Sequence, residues 1–345
     1  MKHLVFWWVD DQPERLPKSA RQRIEKPKDV KQARAQIRIR EVKNEKQIKQ
    51  LETELSSARK SEVPDLIMID QILTNTSGMA RGSTLAVSLR ATRPSVPIVG
   101  VTAVDFGTVA ELQKDQFLEF FCLDDLQSGK RIADLYAIAV GFQQIVALGK
   151  VSKDRERLKK QVIKLLDCPN EDVDLLTRCL PGDLVTTWDA ETPHTFTRWI
   201  WHTFTDRPGF LYDDFEAATV LGLTPAGFAQ VEKTLRTCEY KGVFVSSARR
   251  RWWISKVRAQ IRQRFHADIT EPLWKLGRQL LSSQSAKYLS RCHGRPREPN
   301  CVPDVVAFED ELCRDRVQAR SEDTQPLQSD NPPIGFEQRR VFSRK

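Results

Sequence analysis

Leu66-Ile67-Met68-Ile69-Asp70 is an apolar run that stops on a carboxylate, and the chain uses the same device earlier, in Leu4-Val5-Phe6-Trp7-Trp8-Val9-Asp10-Asp11. Short, continuous apolar runs of this kind fit strands that are covered on both faces. Working outward, Pro97 to Val101 is a third such run, ending at Thr102, and Phe117 to Leu123 is a fourth, rich in aromatics. Ala35 to Val42 alternates apolar and charged residues, the pattern of a half-buried strand. The polar, basic stretch with Pro13 and Pro17 predicts a first helix. Asn44 predicts the cap of a charged helix to about Arg59, with Ile48, Leu51 and Leu55 on one face. Ser83 to Arg93 reads as a helix stopped by Pro94, and Lys130 to Leu148 as a helix with apolar spacings of three and four. Strand and helix thus alternate over residues 1–148, which predicts an α/β domain built on a doubly wound, five-stranded parallel sheet. Chemistry in such sheets gathers at the carboxyl ends of the strands. Asp10, Asp11, Asp70 and Thr102 all fall there.

The chain of 345 residues has room for two or three domains, and hydrophobic residues at 40% suffice for real cores. A net charge of +9 favours acidic partners. Seven cysteines without paired spacing, and no signal peptide, predict a reduced, cytoplasmic setting. Leu4 to Val9 is too short to span a bilayer, so no membrane association is expected. Glycine-rich phosphate loops and Ser/His/Asp or Cys/His arrangements are absent.

Three carboxylates at neighbouring strand ends repel one another when ionised, and a hard divalent cation relieves that cost. Mg²⁺ prefers oxygen ligands and keeps several waters, so a few carboxylates and a backbone carbonyl suffice. Here the sequence resembles the response-regulator receiver (CheY-like) family, of receiver/flavodoxin-like fold, over residues 1–148. Val9-Asp10-Asp11 matches the family's acidic pair, Leu66 to Asp70 the strand bearing the phosphorylated aspartate, and Pro97 to Ala103 the strand with the switch hydroxyl. The resemblance implies Asp70 as phosphoacceptor and Mg²⁺ as cofactor, held by Asp10, Asp11, Asp70 and the backbone carbonyl of Ile72. It also implies Thr102 with Phe120 or Phe121 as switch residues, and a sensor histidine kinase or related ATPase as partner. Two departures stand out. The slot of the family's last-strand lysine falls near Leu123 or Asp124, and the stretch between Asp11 and Asp70 is long and highly charged.

Beyond residue 148 the pattern turns mainly helical. Residues 149–187 read as a helical linker, 188–283 as a helical domain with a winged-helix-like unit, and 284–345 as a Pro- and Arg-rich, partly irregular region. Residues 215–262 resemble a winged helix-turn-helix. Phe215 to Leu221 is the expected positioning helix, Gly222-Leu223-Thr224-Pro225 the turn, and Phe228 to Cys238 the recognition helix. Lys241 to Val245 and Arg251 to Ser255 are the expected wing. Eight Lys or Arg residues and no acid lie between Lys241 and Arg264. Arg249, Arg250 and Arg251 are expected at the hairpin tip, with Lys256 and Arg258 beyond, as a nucleic-acid or partner surface. Against that, Gln230, Glu232, Lys233 and Arg236 are a mixed charge set for a recognition helix. Cys292, His293, Cys301 and Cys313 lack the spacing of structural zinc sites. His194 and His202 read as structural histidines.

The expectation is a two-component response regulator, without enzymatic activity beyond autocatalytic phosphoacceptance and self-dephosphorylation. It would pass its signal to a C-terminal unit that binds DNA or protein, and a homodimer is open to it. The alternative is a receiver-like adaptor that is not phosphorylated and docks a kinase or ATPase, as in a stress or phage-defence system.

Overall fold

A computed structural model describes residues 3–28, 30, 34–59, 61–73, 81–103, 116–182, 188–206, 209–246, 249–269, 271–282 and 287–289. The chain divides into two compact units. The first comprises residues up to Gln161 with 182–198 and 246–248; the second comprises 162–181, 199–245 and the chain from Arg249. Neither is a single run of sequence.

The first unit is an α/β domain. Its strands are β1 (His3–Asp10), β2 (Arg34–Glu41), β3 (Leu66–Asp70), β4 (Ile98–Thr102) and β5 (Phe120–Cys122), all parallel, in the order β2-β1-β3-β4-β5. Helices α1 (Lys18–Glu25), α2 (Glu45–Ser57), α3 (Gly82–Thr92), α4 (Leu123–Ser128) and α5 (Ile132–Leu148) alternate with them. Asn44 caps α2, its side chain accepting from the Gln47 amide at 3.0 Å. One face of the sheet presents Trp7, Val9, Ile67 and Ile69 to Ile48, Leu51 and Leu55 of α2 and to Leu85 and Leu89 of α3. On the other face Phe6 meets Tyr136 of α5 edge-on at 5.4 Å, and the Tyr136 hydroxyl donates to the Ile24 carbonyl of α1. Each such buried side chain contributes roughly 1.5–3 kcal/mol. At the outer strand, the Glu25 carboxylate accepts from the Ile37 amide at 3.2 Å.

The α4 helix was not expected. Leu123 continues the apolar run of β5 but opens this helix, and the acids that follow, Asp124 and Asp125, occupy its first turn, where the helix dipole favours negative charge. The stretch from Ile132 to Val151 is long and apolar enough to cross a membrane by length and composition alone. It is 61% buried within the protein, as the core helix of this unit.

After α5 the chain forms α6 (Arg155–Leu165), most of it in the first unit, α7 (Val173–Cys179) in the second, and α8 (Thr192–Trp199), which belongs to the first but for its last residue. In the second unit a capping box closes the start of α9 (Asp214–Val220). Asp213 accepts from the Glu216 amide while the Glu216 carboxylate accepts from the Asp213 amide. Gly222, at φ +67°, makes the turn to α10 (Pro225–Val231), which Thr224 caps and Pro225 begins. A 3₁₀ stretch, Glu232–Cys238, extends it. Then come α11 (Ile254–Phe265) and α12 (Leu273–Gln279). Two helices joined by a turn are therefore present where expected, but the second ends as an α-helix at Val231 rather than Cys238.

The expected wing is not formed. Trp252–Trp253 (β7) pairs antiparallel with Leu211–Tyr212 (β6), and among the described residues only Glu239 bridges to Trp252 on the other side. Lys241 to Val245 cannot lie flat as a strand, because the chain folds around the Tyr240 ring. The Tyr240 hydroxyl donates to the Val243 carbonyl at 2.8 Å, and Phe244 takes φ +64°. Ile254 and Ser255, expected in the wing, belong to α11.

Candidate functional site

Strand order reverses between β1 and β3, and in open parallel sheets that switch point opens a crevice at the carboxyl ends. Asp10 ends β1, Asp11 follows it, and Asp70 ends β3. One carboxylate oxygen from each of the three lies within 4.8 Å of the other two. Asp10 and Asp11 are buried, and Asp70 is half-buried. The predicted acidic cluster is therefore one physical site.

Its electrostatics follow from burial and crowding. Asp70 is pushed up to about 7, first by desolvation and then by the charge of Asp10, with Asp11 adding to it. The amide of Ile72 hydrogen-bonds its carboxylate and works the other way. Asp10 is also raised, chiefly by burial, against hydrogen bonds that hold its charge. These come from the Gln12 amide at 2.8 Å and the Trp8 indole at 3.1 Å. The site is thus an all-oxygen set with excess negative charge, which fits a hard divalent cation such as Mg²⁺.

The Ile72 backbone is fixed beside this set by an isolated antiparallel bridge to Arg81. Gly82, next along, donates its amide to Gln71 at 2.9 Å. A Cβ on Gly82 would lie 2.1 Å from the Asp70 carbonyl oxygen, so this approach admits only glycine. Thr102 ends β4 and is buried, with Cys122 as its partner in β5. Phe120 and Phe121 are both buried and, as successive strand residues, point to opposite faces. Phe120 packs edge-on against Phe117, and the Arg131 guanidinium lies over the Phe121 ring at 4.6 Å. Leu123 and Asp124, the slot where the resemblance called for a lysine, open α4 just past the end of β5.

Trp8, Arg81 and Gly82 were missed in the sequence. Trp8 was findable: residues two apart on a strand share a face, so an indole N–H two positions before Asp10 can reach its carboxylate. Arg81 and Gly82 had no such signal, because their place beside Asp70 depends on how the chain returns to the rim.

The arginine triplet is placed differently from expectation. Arg249 lies over the Trp201 ring at 3.9 Å and 3.8 Å from Asp206. Arg250 binds Asp214 through two nitrogens and also pairs with Glu232. Arg251 donates to the Thr205 carbonyl and lies 3.5 Å from Asp206. The side chains of Arg249 and Arg251 are only 15% and 13% exposed. An exposed hairpin tip is thereby corrected: acids from α9, the 3₁₀ stretch and the Asp206 segment neutralise the triplet. Lys256 lies 3.9 Å from Asp167, and Arg258 is half-buried on α11. His194 is buried and hydrogen-bonded through its ring to the Pro94 carbonyl. The Cys292, His293, Cys301 and Cys313 set lies outside the described residues.

No family model and no curated protein matches the chain. Among solved structures it is similar to the RcsB response regulator of Salmonella typhimurium, a structure presented for its conformational dynamism in DNA interaction. Identity is 13%, over 57% of this chain and 99% of that one, with a TM-score of 0.31.

Proposed function

We propose that the first unit is a receiver-type signalling module in which Asp70 accepts a phosphoryl group from a phosphohistidine donor on a kinase. The observation that carries this reading is the convergence of Asp10, Asp11 and Asp70, whose oxygens meet within 4.8 Å at the switch point of a parallel sheet. Asp10, Asp11, Asp70 and the Ile72 carbonyl would hold Mg²⁺, which when bound neutralises charge on phosphoryl oxygens. One Asp70 carboxylate oxygen bonds to phosphorus as the bond to the donor imidazole nitrogen breaks. The nitrogen keeps the electron pair. Trp8 and the Gln12 amide orient Asp10 and favour its charged form. Thr102, at the neighbouring strand end, offers its hydroxyl to a phosphoryl oxygen. The output falls to the second unit, whose helix-turn-helix suits a duplex or a protein groove.

The test is incubation with Mg²⁺ and acetyl phosphate, read by intact mass. Wild type gains one phosphoryl group and Asp70→Asn gains none; equal masses for the two proteins end the phosphoacceptor reading. One observation favours a second reading, that of an adaptor without phosphate chemistry: Leu123 and Asp124 stand in the slot of the family's lysine. On that reading the acidic rim binds a divalent cation and docks a partner, and neither protein gains mass.

A further inference from the structure

The rim that holds Asp70 needs positive charge if a phosphoryl group is to sit there, and the end of β5 supplies none. Lys43 and Arg81 are cations whose backbones adjoin the rim. Lys43 follows β2, next to Val42, whose amide donates to the Asp10 carbonyl. Its ammonium is taken, however, lying 2.5 Å from Glu41. Arg81 is the other. Its backbone is bridged to Ile72, two residues from Asp70, and its neighbour Gly82 is pressed against the Asp70 carbonyl. Residues opposite one another in an antiparallel bridge project on the same face. Arg81 therefore stands with Ile72, whose side chain is 48% exposed, on the solvent side of the rim. Arg81 is itself exposed, and among the described residues none accepts from its guanidinium.

From this placement we infer that Arg81 is the phosphoryl-binding cation of the site, closing over an acyl phosphate on Asp70 from the α3 side of the rim. The inference rests on the phosphoacceptor reading above and deepens it. Three features fit. A guanidinium presents a planar fork that matches two phosphoryl oxygens. The bridge and the Gly82 contact hold the Arg81 backbone within about two residues' length, ~7 Å, of Asp70. The start of α3, which Arg81 immediately precedes, adds the positive end of an 11-residue helix. Arg81 takes no proton and forms no bond; it neutralises charge on oxygens that Asp70 alone would repel.

The experiment compares wild type, Arg81→Gln, Arg81→Lys, Lys43→Gln and Asp70→Asn. Each is titrated with Mg²⁺ alone and with Mg²⁺ plus beryllofluoride, read by tryptophan fluorescence, since Trp8 touches Asp10. Phosphoryl uptake from acetyl phosphate is read by intact mass, and thermal melts control for folding. In Arg81→Gln, beryllofluoride affinity and phosphoform yield should each fall about tenfold, the loss of one charge-assisted contact, while Mg²⁺ affinity stays within about twofold. Arg81→Lys should recover part of both. Wild-type behaviour in Arg81→Gln overturns the assignment, as does a comparable loss in Lys43→Gln. If wild type itself takes up neither beryllofluoride nor phosphate, the Asp70 reading has failed and Arg81 falls with it. Failure confined to Arg81→Gln behaving as wild type leaves Asp70 standing.

Discussion

The acidic rim of the first unit and the arginine cluster of the second are both dense in charge, yet they are built on opposite terms. At the rim, Asp10, Asp11 and Asp70 share one sign, two of them are buried, and burial raises Asp70 to about 7. In the cluster, Arg249, Arg250 and Arg251 meet Asp206, Asp214 and Glu232, and Arg249 and Arg250 also stack on indole rings. Unrelieved like charge costs stability and persists where something else is to be bound. Opposite charges paired with hydrogen bonds and rings hold structure together. The contrast makes the rim the candidate for binding and leaves the triplet bonded within its own unit, and each half of it can be broken.

The largest effect is expected in the cluster. Asp214 accepts from Arg250 twice and from the Trp252 indole at 2.7 Å, and Trp252 is buried. Asp214→Ala should lower unfolding free energy by about 3 kcal/mol in urea titration, because it strands the Trp252 indole and removes two charge-assisted bonds to Arg250. A loss under about 0.5 kcal/mol, the range of ordinary surface changes, would show the cluster to be decoration.

A buried, neutral base gives the next. His194 is lowered to about 4 by desolvation first, with Arg90 and Arg198 adding to it. Its folded value lies below the unfolded value of about 6.5, so the unfolded chain binds the extra proton between them. Stability should be fully present above pH 6.5 and fall as pH drops towards 4, by on the order of 2–3 kcal/mol. His194→Gln should flatten that slope in melts run across the interval; an unchanged slope would place the loss elsewhere.

Arg249→Ala should cost about 1–2 kcal/mol through the lost ring contact and packing. Its salt-dependent duplex binding, read by fluorescence anisotropy, should match wild type. A large drop in duplex affinity at full stability would return the triplet to a phosphate-contacting role.

The smallest effect has the opposite sign. Without divalent ions at pH 8, Asp70→Asn should stabilise the protein by about 1 kcal/mol, since a repelled charge is removed. The raised Asp70 value means native stability declines as pH rises from about 4 to about 7, and the variant should lose that decline. With Mg²⁺ present, wild type should melt higher than without it, and the variant should gain less. Destabilisation of the metal-free variant would mean that Asp70 is a structural acid.

Much of the first unit was legible because its strands are short apolar blocks whose carboxyl ends are marked by acids or a hydroxyl. β1, β3 and β4 fall within a residue or so of their apolar runs, and the site followed from reading where those runs stop. Failure came where local pattern and tertiary partner disagreed. Leu123 extends an apolar run yet begins a helix, and Val243-Phe244-Val245 looks like a strand yet turns around Tyr240. The triplet reads as a solvated charge run because the groups that meet it, Glu232 and the Thr205 carbonyl among them, lie 18 to 46 positions away in the chain, a separation that periodicity does not report.

The Glu25 carboxylate on the Ile37 amide has a consequence for solubility and recruitment. An outermost strand ordinarily offers a ladder of free donors to any extended peptide, including a second copy of itself. Here one rung is already filled from within, and Arg34 and Arg38 add charge along the same strand. Fibril-like stacking and recruitment by strand addition are both disfavoured along that border, so an associate of this domain must recognise side chains rather than borrow backbone.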